Sequence, residues 1–286
     1  MYRYILPTFP FIYFLASLTA LMTQPAFAAN FTLTNGNSTA DFDNSLGTGF
    51  VSWKIDGVDQ IDNSVTAGQT ATYFRIGDST EQTLVEEFSP DLFEEVLSLS
   101  GNKASVKYTD LAENFTINFD FLLKGDSLGT NRGSLSQTMT VTNISNAPLD
   151  FRLFQYNDFN INGTIAPNKV IIDEDTFTAT QTSPFGRGIA TFVTPTPTAA
   201  IAALVPDLVD FSPIALNNTV GNPVNLSGPL VLNGGDASFA YQWNFNLAPN
   251  QSVVVMQTAT TIPEPSMSLA TLIAFGFGFI KSRKRS

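Results

Sequence analysis

Apolar side chains recur at every second position from Phe115 through Ile117, Phe119 and Phe121 to Leu123, with Thr116, Asn118 and Asp120 between them. Successive side chains of a β-strand point to opposite faces, so this spacing specifies a strand with one buried face, whereas a helix would need a 3.6-residue spacing. Leu135, Gln137, Met139 and Val141 alternate in the same way with Ser136, Thr138 and Thr140. So do Phe239, Tyr241, Trp243, Phe245 and Leu247, which are followed by Ala248-Pro249-Asn250-Gln251 and then Val253 to Met256. The turn-rich Asn143-Ile144-Ser145-Asn146-Ala147-Pro148 predicts a further strand from Leu149 to Ile161. Together these segments predict an antiparallel meander. Shorter strands are predicted at Phe50 to Ile55, Thr72 to Ile76, Ala104 to Tyr108 and Lys169 to Ile172. The expected class is all-β, an antiparallel β-sandwich that could be a large one, with one or two short helices.

The helices are placed where the period breaks. Ser89-Pro90-Asp91 reads as a cap, an N1 proline and an acid ahead of Leu92, Phe93, Val96 and Leu97, with a strand as the alternative. Thr194-Pro195-Thr196-Pro197-Thr198 is a stiff extended segment, read as part of a long loop, that leads into a helical turn over Ala199 to Val205.

The two termini are excluded from the fold. Arg3, the apolar stretch from Phe9 to Met22 and Ala26-Phe27-Ala28 predict a signal peptide over residues 1–28. A single sandwich domain is expected over 29–261. The chain has no cysteine, so this exported body must be held by its core rather than by disulfides. At the other end, Ile262-Pro263-Glu264-Pro265 precedes an apolar stretch from Met267 to Ile280 and the basic Lys281-Ser282-Arg283-Lys284-Arg285. As a helix that stretch would rise about 21 Å, short of the roughly 30 Å hydrocarbon core, and the cations would hold its end on the cytoplasmic side.

With those residues in view, 262–286 resembles the PEP-CTERM sorting signal of Gram-negative bacteria that make exopolysaccharide. Pro263, Glu264 and Pro265 match its motif, Met267 to Ile280 its hydrophobic segment, and Lys281, Arg283, Lys284 and Arg285 its basic tail. The resemblance implies export through the Sec translocon, transient membrane insertion, recognition by an exosortase, and delivery to the cell surface or extracellular matrix. The body is similar to exported PEP-CTERM proteins in Thr140-Val141-Thr142-Asn143-Ile144-Ser145, Phe154-Gln155-Tyr156-Asn157-Asp158-Phe159 and Phe239-Ala240-Tyr241-Gln242-Trp243-Asn244. That likeness implies no catalytic site.

A net charge of −11, more negative still without the basic tail, makes nucleic acid a poor partner. The best candidate site is Asp158-Phe159-Asn160-Ile161-Asn162-Gly163. Oxygen side chains at alternate positions before a glycine resemble the first half of a calcium loop, but Lys169 stands where an EF-hand needs its bidentate glutamate. On a strand, Tyr156, Asp158, Asn160 and Asn162 would share one face and could hold calcium or a sugar, or simply be solvated. No other cofactor is expected. Asp173-Glu174-Asp175 and the set Asp56, Asp59 and Asp62 read as acidic turns.

With neither histidine nor cysteine, a Ser-His-Asp triad, a cysteine nucleophile and an imidazole or thiolate zinc site are excluded. The expectation is therefore a non-catalytic structural or exopolysaccharide-associated matrix component. The alternative is a glycosidase-like carbohydrate-active enzyme using paired carboxylates, for which Glu86, Glu87, Glu94, Glu95 and Glu113 are available. Sugar binding would call for an exposed ring among Trp53, Trp243, Tyr156 and Tyr241.

Overall fold

The structure, a computed structural model, describes residues 30–43, 49–62, 70–77, 79, 83–85, 92–164, 168–184, 187–204 and 225–262. Numbered in chain order, β1 (Phe31–Asn35), β2 (Ser38–Asp43), β3 (Gly49–Ile55) and β4 (Val58–Asp62) form a four-stranded meander. A five-stranded sheet runs β15 (Ala199–Leu204), β17 (Ala237–Leu247), β11 (Leu149–Asn157), β5 (Thr70–Ile76) and β6 (Thr83–Leu84). A nine-stranded sheet runs β16 (Val231–Asn233), β12 (Lys169–Ile172), β13 (Ala179–Thr182), β14 (Gly188–Thr194), β18 (Ser252–Ile262), β10 (Gly133–Asn143), β9 (Phe115–Gly125), β8 (Lys103–Asp110) and β7 (Leu92–Ser100). Neighbouring strands pair antiparallel.

The two larger sheets face one another because each presents the apolar half of its alternation inward. Phe115, Ile117, Phe119, Phe121 and Leu123 of β9 are buried, as are Leu135, Met139 and Val141 of β10. Phe74, Phe151, Leu153, Phe239, Tyr241 and Trp243 meet them from the five-stranded sheet. Phe115 lies 5.1 Å, centroid to centroid, from both Phe74 and Phe151, so aromatic packing joins the layers. Each such ring contributes about 1.5–3 kcal/mol on full burial. The four-stranded meander sets Phe31, Phe42 and Phe50 against Phe121 of β9 at 5.0–6.0 Å. An all-β antiparallel sandwich is thus the fold.

Three local expectations change. β9 and β10 form the expected hairpin, but β11 and β17 pair with each other in the opposite sheet, so the strong strands do not make one meander. Alternation marks which face is buried, not which sheet holds it. Residues 92–97 lie in β7 rather than a helix, and β7 pairs with β8 through a bulge between Val96 and Ser98. The bulge interrupts the period-two pattern, which is why the apolar spacing imitates a helix. Residues 199–204 form β15 on the edge of the five-stranded sheet. Its apolar Ala-Ala-Ile-Ala-Ala run is buried on both faces, so it shows no alternation. The short helix among the described residues is a 3-10 turn, Ile161–Gly163, and β11 ends at Asn157 rather than Ile161.

Candidate functional site

The outer face of the five-stranded sheet carries its own small apolar cluster. Ala71 and Tyr73 of β5, Phe154 and Tyr156 of β11, and Ala240 of β17 pack there with Ile201, Ala203 and Leu226. The ladder sets Tyr156 opposite Ala240. Because side chains alternate, residues 158 and 238 continue this face past the end of β11, with residue 236 next along on the facing chain. Those positions hold Asp158, Ser238 and Asp236.

Asp236 is delivered by a turn that needs glycine. Gly234 and Gly235 have φ of +87° and +79°, a region that side chains with a β-carbon resist. The backbone of Asn168 clamps the turn: its N–H donates to Gly235 O, and Gly234 N–H donates to its carbonyl, each at 2.8 Å. Asp158 is anchored from the chain around it. Its neighbour Asn157 exchanges side-chain hydrogen bonds with Gln257. Its other neighbour, Phe159, lies in the core against Trp53 and Phe239, and its carbonyl accepts a 2.7 Å bond from Gln181 Nε2.

The resulting pair is electrostatically uncomfortable. Asp158 has no solvent exposure, and neither of its carboxyl oxygens has a hydrogen-bond partner among the described residues. Asp236 is half-buried, with Oδ1 likewise unpartnered. Burial first, and then the charge of Asp236, push the Asp158 carboxyl well above the usual carboxylate range. Burial alone raises Asp236. Burial, and next the charge of Asp158, also lift the Tyr156 phenol well above its ordinary value. Two carboxyls that share a poorly solvated site do not both ionise readily. The half-exposed Asp236 gives up its proton first, and its charge holds the proton on Asp158. The arrangement pairs a proton holder with a carboxylate base that reaches solvent.

Of the four residues predicted to share a face, the structure brings Tyr156 and Asp158 together and separates Asn162. Asn162 sits in the 3-10 turn at φ +56°, and its Oδ1 accepts bonds from Arg187 Nη1 at 3.1 Å and Gln60 Nε2 at 3.4 Å. Asn160 is buried as the residue before that turn. The strand ends too early to align all four. No group of three or more acidic, histidine or cysteine side chains placed to hold a metal occurs among the described residues.

The remaining candidates have structural roles. Asp56 accepts from Gly129 N, Asn131 N and Asn37 Nδ2, while Asp59 pairs with Lys54 at 3.0 Å. Asp173 Oδ1 accepts from the backbone N–H groups of Asp175 and Thr176, which fold the acidic turn. Glu94 is buried and Glu95 and Glu113 are exposed; Glu86 and Glu87 lie outside the described residues. Trp53, Trp243, Tyr156 and Tyr241 are all buried, so none offers a face to a sugar. Asp236 was missed by sequence reasoning, although a Gly-Gly-Asp turn immediately before a strong alternating strand was a visible signal.

The segments expected to be a signal peptide and, from residue 263 on, a sorting signal, including Pro263, Glu264, Pro265 and the basic tail, lie outside the described residues. Among the described residues no helix is long and apolar enough to cross a membrane.

No protein-family model and no curated protein sequence matches the chain. Solved structures do. The chain is similar to a proposed aldose 1-epimerase of Escherichia coli K12, with a TM-score of 0.53 and 11% identity over 82% of this chain and 99% of that one. It is similar to a galactose mutarotase-like protein from Lactobacillus casei, with a TM-score of 0.50 and 12% identity over 82% of this chain and 100% of that one. A bacterial glucoamylase complexed with acarbose aligns at a TM-score of 0.53 and 9% identity, over 90% of this chain and 37% of that one. The chain therefore shares the galactose mutarotase-like β-sandwich fold. At these identities the likeness shows the fold alone. The expectation of a non-catalytic matrix component is corrected by this finding: the solved structures that share the sandwich are described as a proposed aldose 1-epimerase, a galactose mutarotase-like protein and a glucoamylase.

Proposed function

We propose that the protein is a carbohydrate-active enzyme that carries out acid–base chemistry at the anomeric centre of a sugar through Asp236 and Asp158. The carrying observation is the pairing of a buried carboxyl with a half-buried one, the proton affinities of both raised, at one end of a mutarotase-like sandwich. In a chain without histidine, carboxyls shifted upward are the groups best suited to proton transfer near neutral pH. In this reading Asp236, which reaches solvent, accepts the proton of the anomeric hydroxyl. The ring C1–O5 bond then breaks and O5 takes up a proton from water; reclosure reverses both transfers. Asp158 holds its own proton behind Asp236 and tunes it, acting as a positioning residue. In a hydrolytic reaction Asp236 would take a proton from the attacking water while the leaving-group oxygen takes one up from solvent. The terminal segments of the sequence support export through the Sec translocon and sorting by an exosortase as the route to an extracellular substrate.

Polarimetry of freshly dissolved α-glucose and α-galactose, beside reducing-end release from polysaccharide, tests the reading. The expected result is acceleration in one assay that falls at least about a hundredfold in Asp236→Asn with the fold intact. An inert wild-type protein in both assays, or an unimpaired Asp236→Asn variant, overturns it.

A further inference from the structure

A second concentration of charge lies on the outer face of the nine-stranded sheet. Lys124 of β9, Ser134 of β10 and Thr260 of β18 stand directly opposite one another in three successive strands. The flanking Leu123, Leu135 and Ala259 are buried in the core, so alternation turns the row outward. Arg132 immediately precedes β10. These residues, with Asp126 and Thr261, line an open cleft of about 440 Å³, within the roughly 300–1,000 Å³ range of small-molecule sites.

The cations are what set this cleft apart. Lys54 is paired with Asp59, Arg152 with Asp150, and Arg187 is bonded to Asn162. Lys124 and Arg132, like Lys103, Lys107 and Lys169, have no ion pair or side-chain hydrogen bond among the described residues, but these two line the same cleft. In a chain of net charge −11, two uncommitted cations at one cleft are suited to an anionic ligand. Asp126 shares the rim, and its Oδ1 accepts a 2.7 Å bond from Ser127 N–H. Two cations and one carboxylate leave a single net positive charge, which matches a monoanion better than a phosphate dianion. The hydroxyls of Ser134 and Thr260 stand beside the cations as partners for a polyhydroxylated ligand.

We infer that this cleft binds a carboxylate-bearing saccharide, a uronate unit of an acidic polysaccharide, with its carboxylate between Lys124 and Arg132. Only the saccharide class of the ligand rests on the function proposed above. The cleft is built from β9, β10 and β18, and the carboxyl pair from the ends of β11 and β17, so the cleft is an anchoring site rather than part of the reacting centre.

Isothermal titration of the full chain with a galacturonic acid trimer, a neutral galactose trimer and inorganic phosphate tests it. Saturable binding of the uronate trimer is expected, weakening with added salt and falling about tenfold in the double variant Lys124→Ala/Arg132→Ala. Asp236→Asn should bind the trimer as the wild type does. Equal affinity for the neutral trimer, equal affinity for phosphate, or wild-type affinity in the double variant overturns the inference. Uronate binding by a protein inert in the sugar-conversion assays would sink the proposed function alone. Catalysis without uronate binding would sink only the anchoring site.

Discussion

Asn157 and Gln257 clasp one another across the sandwich: Gln257 Nε2 donates to Asn157 Oδ1 at 2.6 Å, and Asn157 Nδ2 donates back to Gln257 Oε1 at 3.3 Å. One residue ends β11 of the five-stranded sheet and the other lies within β18 of the nine-stranded sheet, both buried. The clasp adjoins Asp158, so it ties the candidate site to the opposite layer. Removing one amide leaves the other's donor and acceptor unpaired in the core, at about 1–3 kcal/mol. Gln257→Ala should therefore lower unfolding stability in urea by roughly 2 kcal/mol, with the cavity adding to that. The double variant Asn157→Ala/Gln257→Ala should lose less than the sum of the two single changes. Strict additivity would show that the two amides do not depend on each other.

The N-terminal meander is stitched to β9 through backbone contacts that tolerate no side chain. Gly125 N–H donates to Asn35 Oδ1 at 2.9 Å, Asp126 N–H donates to Asn37 Oδ1 at 2.8 Å, and Asn37 N–H returns a 3.0 Å bond to Asp126 O. A β-carbon at Gly125 would land on the carbonyl oxygen of Asn35. Two backbones cannot separate there without breaking the stitches, so Gly125→Ala should cost about 2–3 kcal/mol. Gly129→Ala, at φ +82° with nothing near its β-carbon, should cost only about 1 kcal/mol of backbone strain. Chemical denaturation of both variants checks the order, and equal losses would refute the close-contact account.

Legibility from sequence followed burial on one face. β9 and β10 were readable because each has a buried side and a more exposed one; β17 is buried on both faces from Ala237 to Trp243, and was readable only because its large rings alternate with the smaller or polar Ser238, Ala240 and Gln242. β15 was not, since Ala200, Ile201, Ala202 and Ala203 are buried on both sides, and a continuous apolar run has no period. At the site, Asp158 was singled out through its resemblance to half of a calcium loop, yet Asn162, part of the same pattern, is held by Arg187 and Gln60. Asp236 joins Asp158 only through the β11–β17 pairing, a tertiary relation that local spacing does not carry.

Thr191 of β14 is fully buried, and its Oγ1 has no hydrogen-bond partner among the described residues. Its ladder neighbours are Ala179 and Ala259, small residues that leave room for a methyl group. A valine keeps the shape and the β-branch while removing a hydroxyl whose burial is uncompensated. Thr191→Val should therefore raise stability by about 1 kcal/mol in thermal or urea unfolding. A loss of stability would show that the hydroxyl is satisfied in solution.

Asp158 makes the protein's stability depend on pH in a direction opposite to the usual salt-bridged carboxylate. Its folded-state proton affinity is raised well above the ordinary value of 3.8, by burial first and by Asp236 second. Between the ordinary value and the raised one, the folded state binds more protons at this site than the unfolded state. Stability contributed by the protonated form is therefore full below the ordinary value and is lost as pH rises through the window, with a limiting slope of about 1.4 kcal/mol per pH unit. Asp158→Asn removes the titration while keeping the size and polarity of the group. The variant should show a flatter stability profile through that window and should gain most over the wild type above it. The comparison is read from urea midpoints at matched pH values from 4 to 9. Parallel profiles for the two proteins would show that Asp158 ionises as freely in the folded state as in the unfolded chain, and would remove the proton holder from the proposed pair.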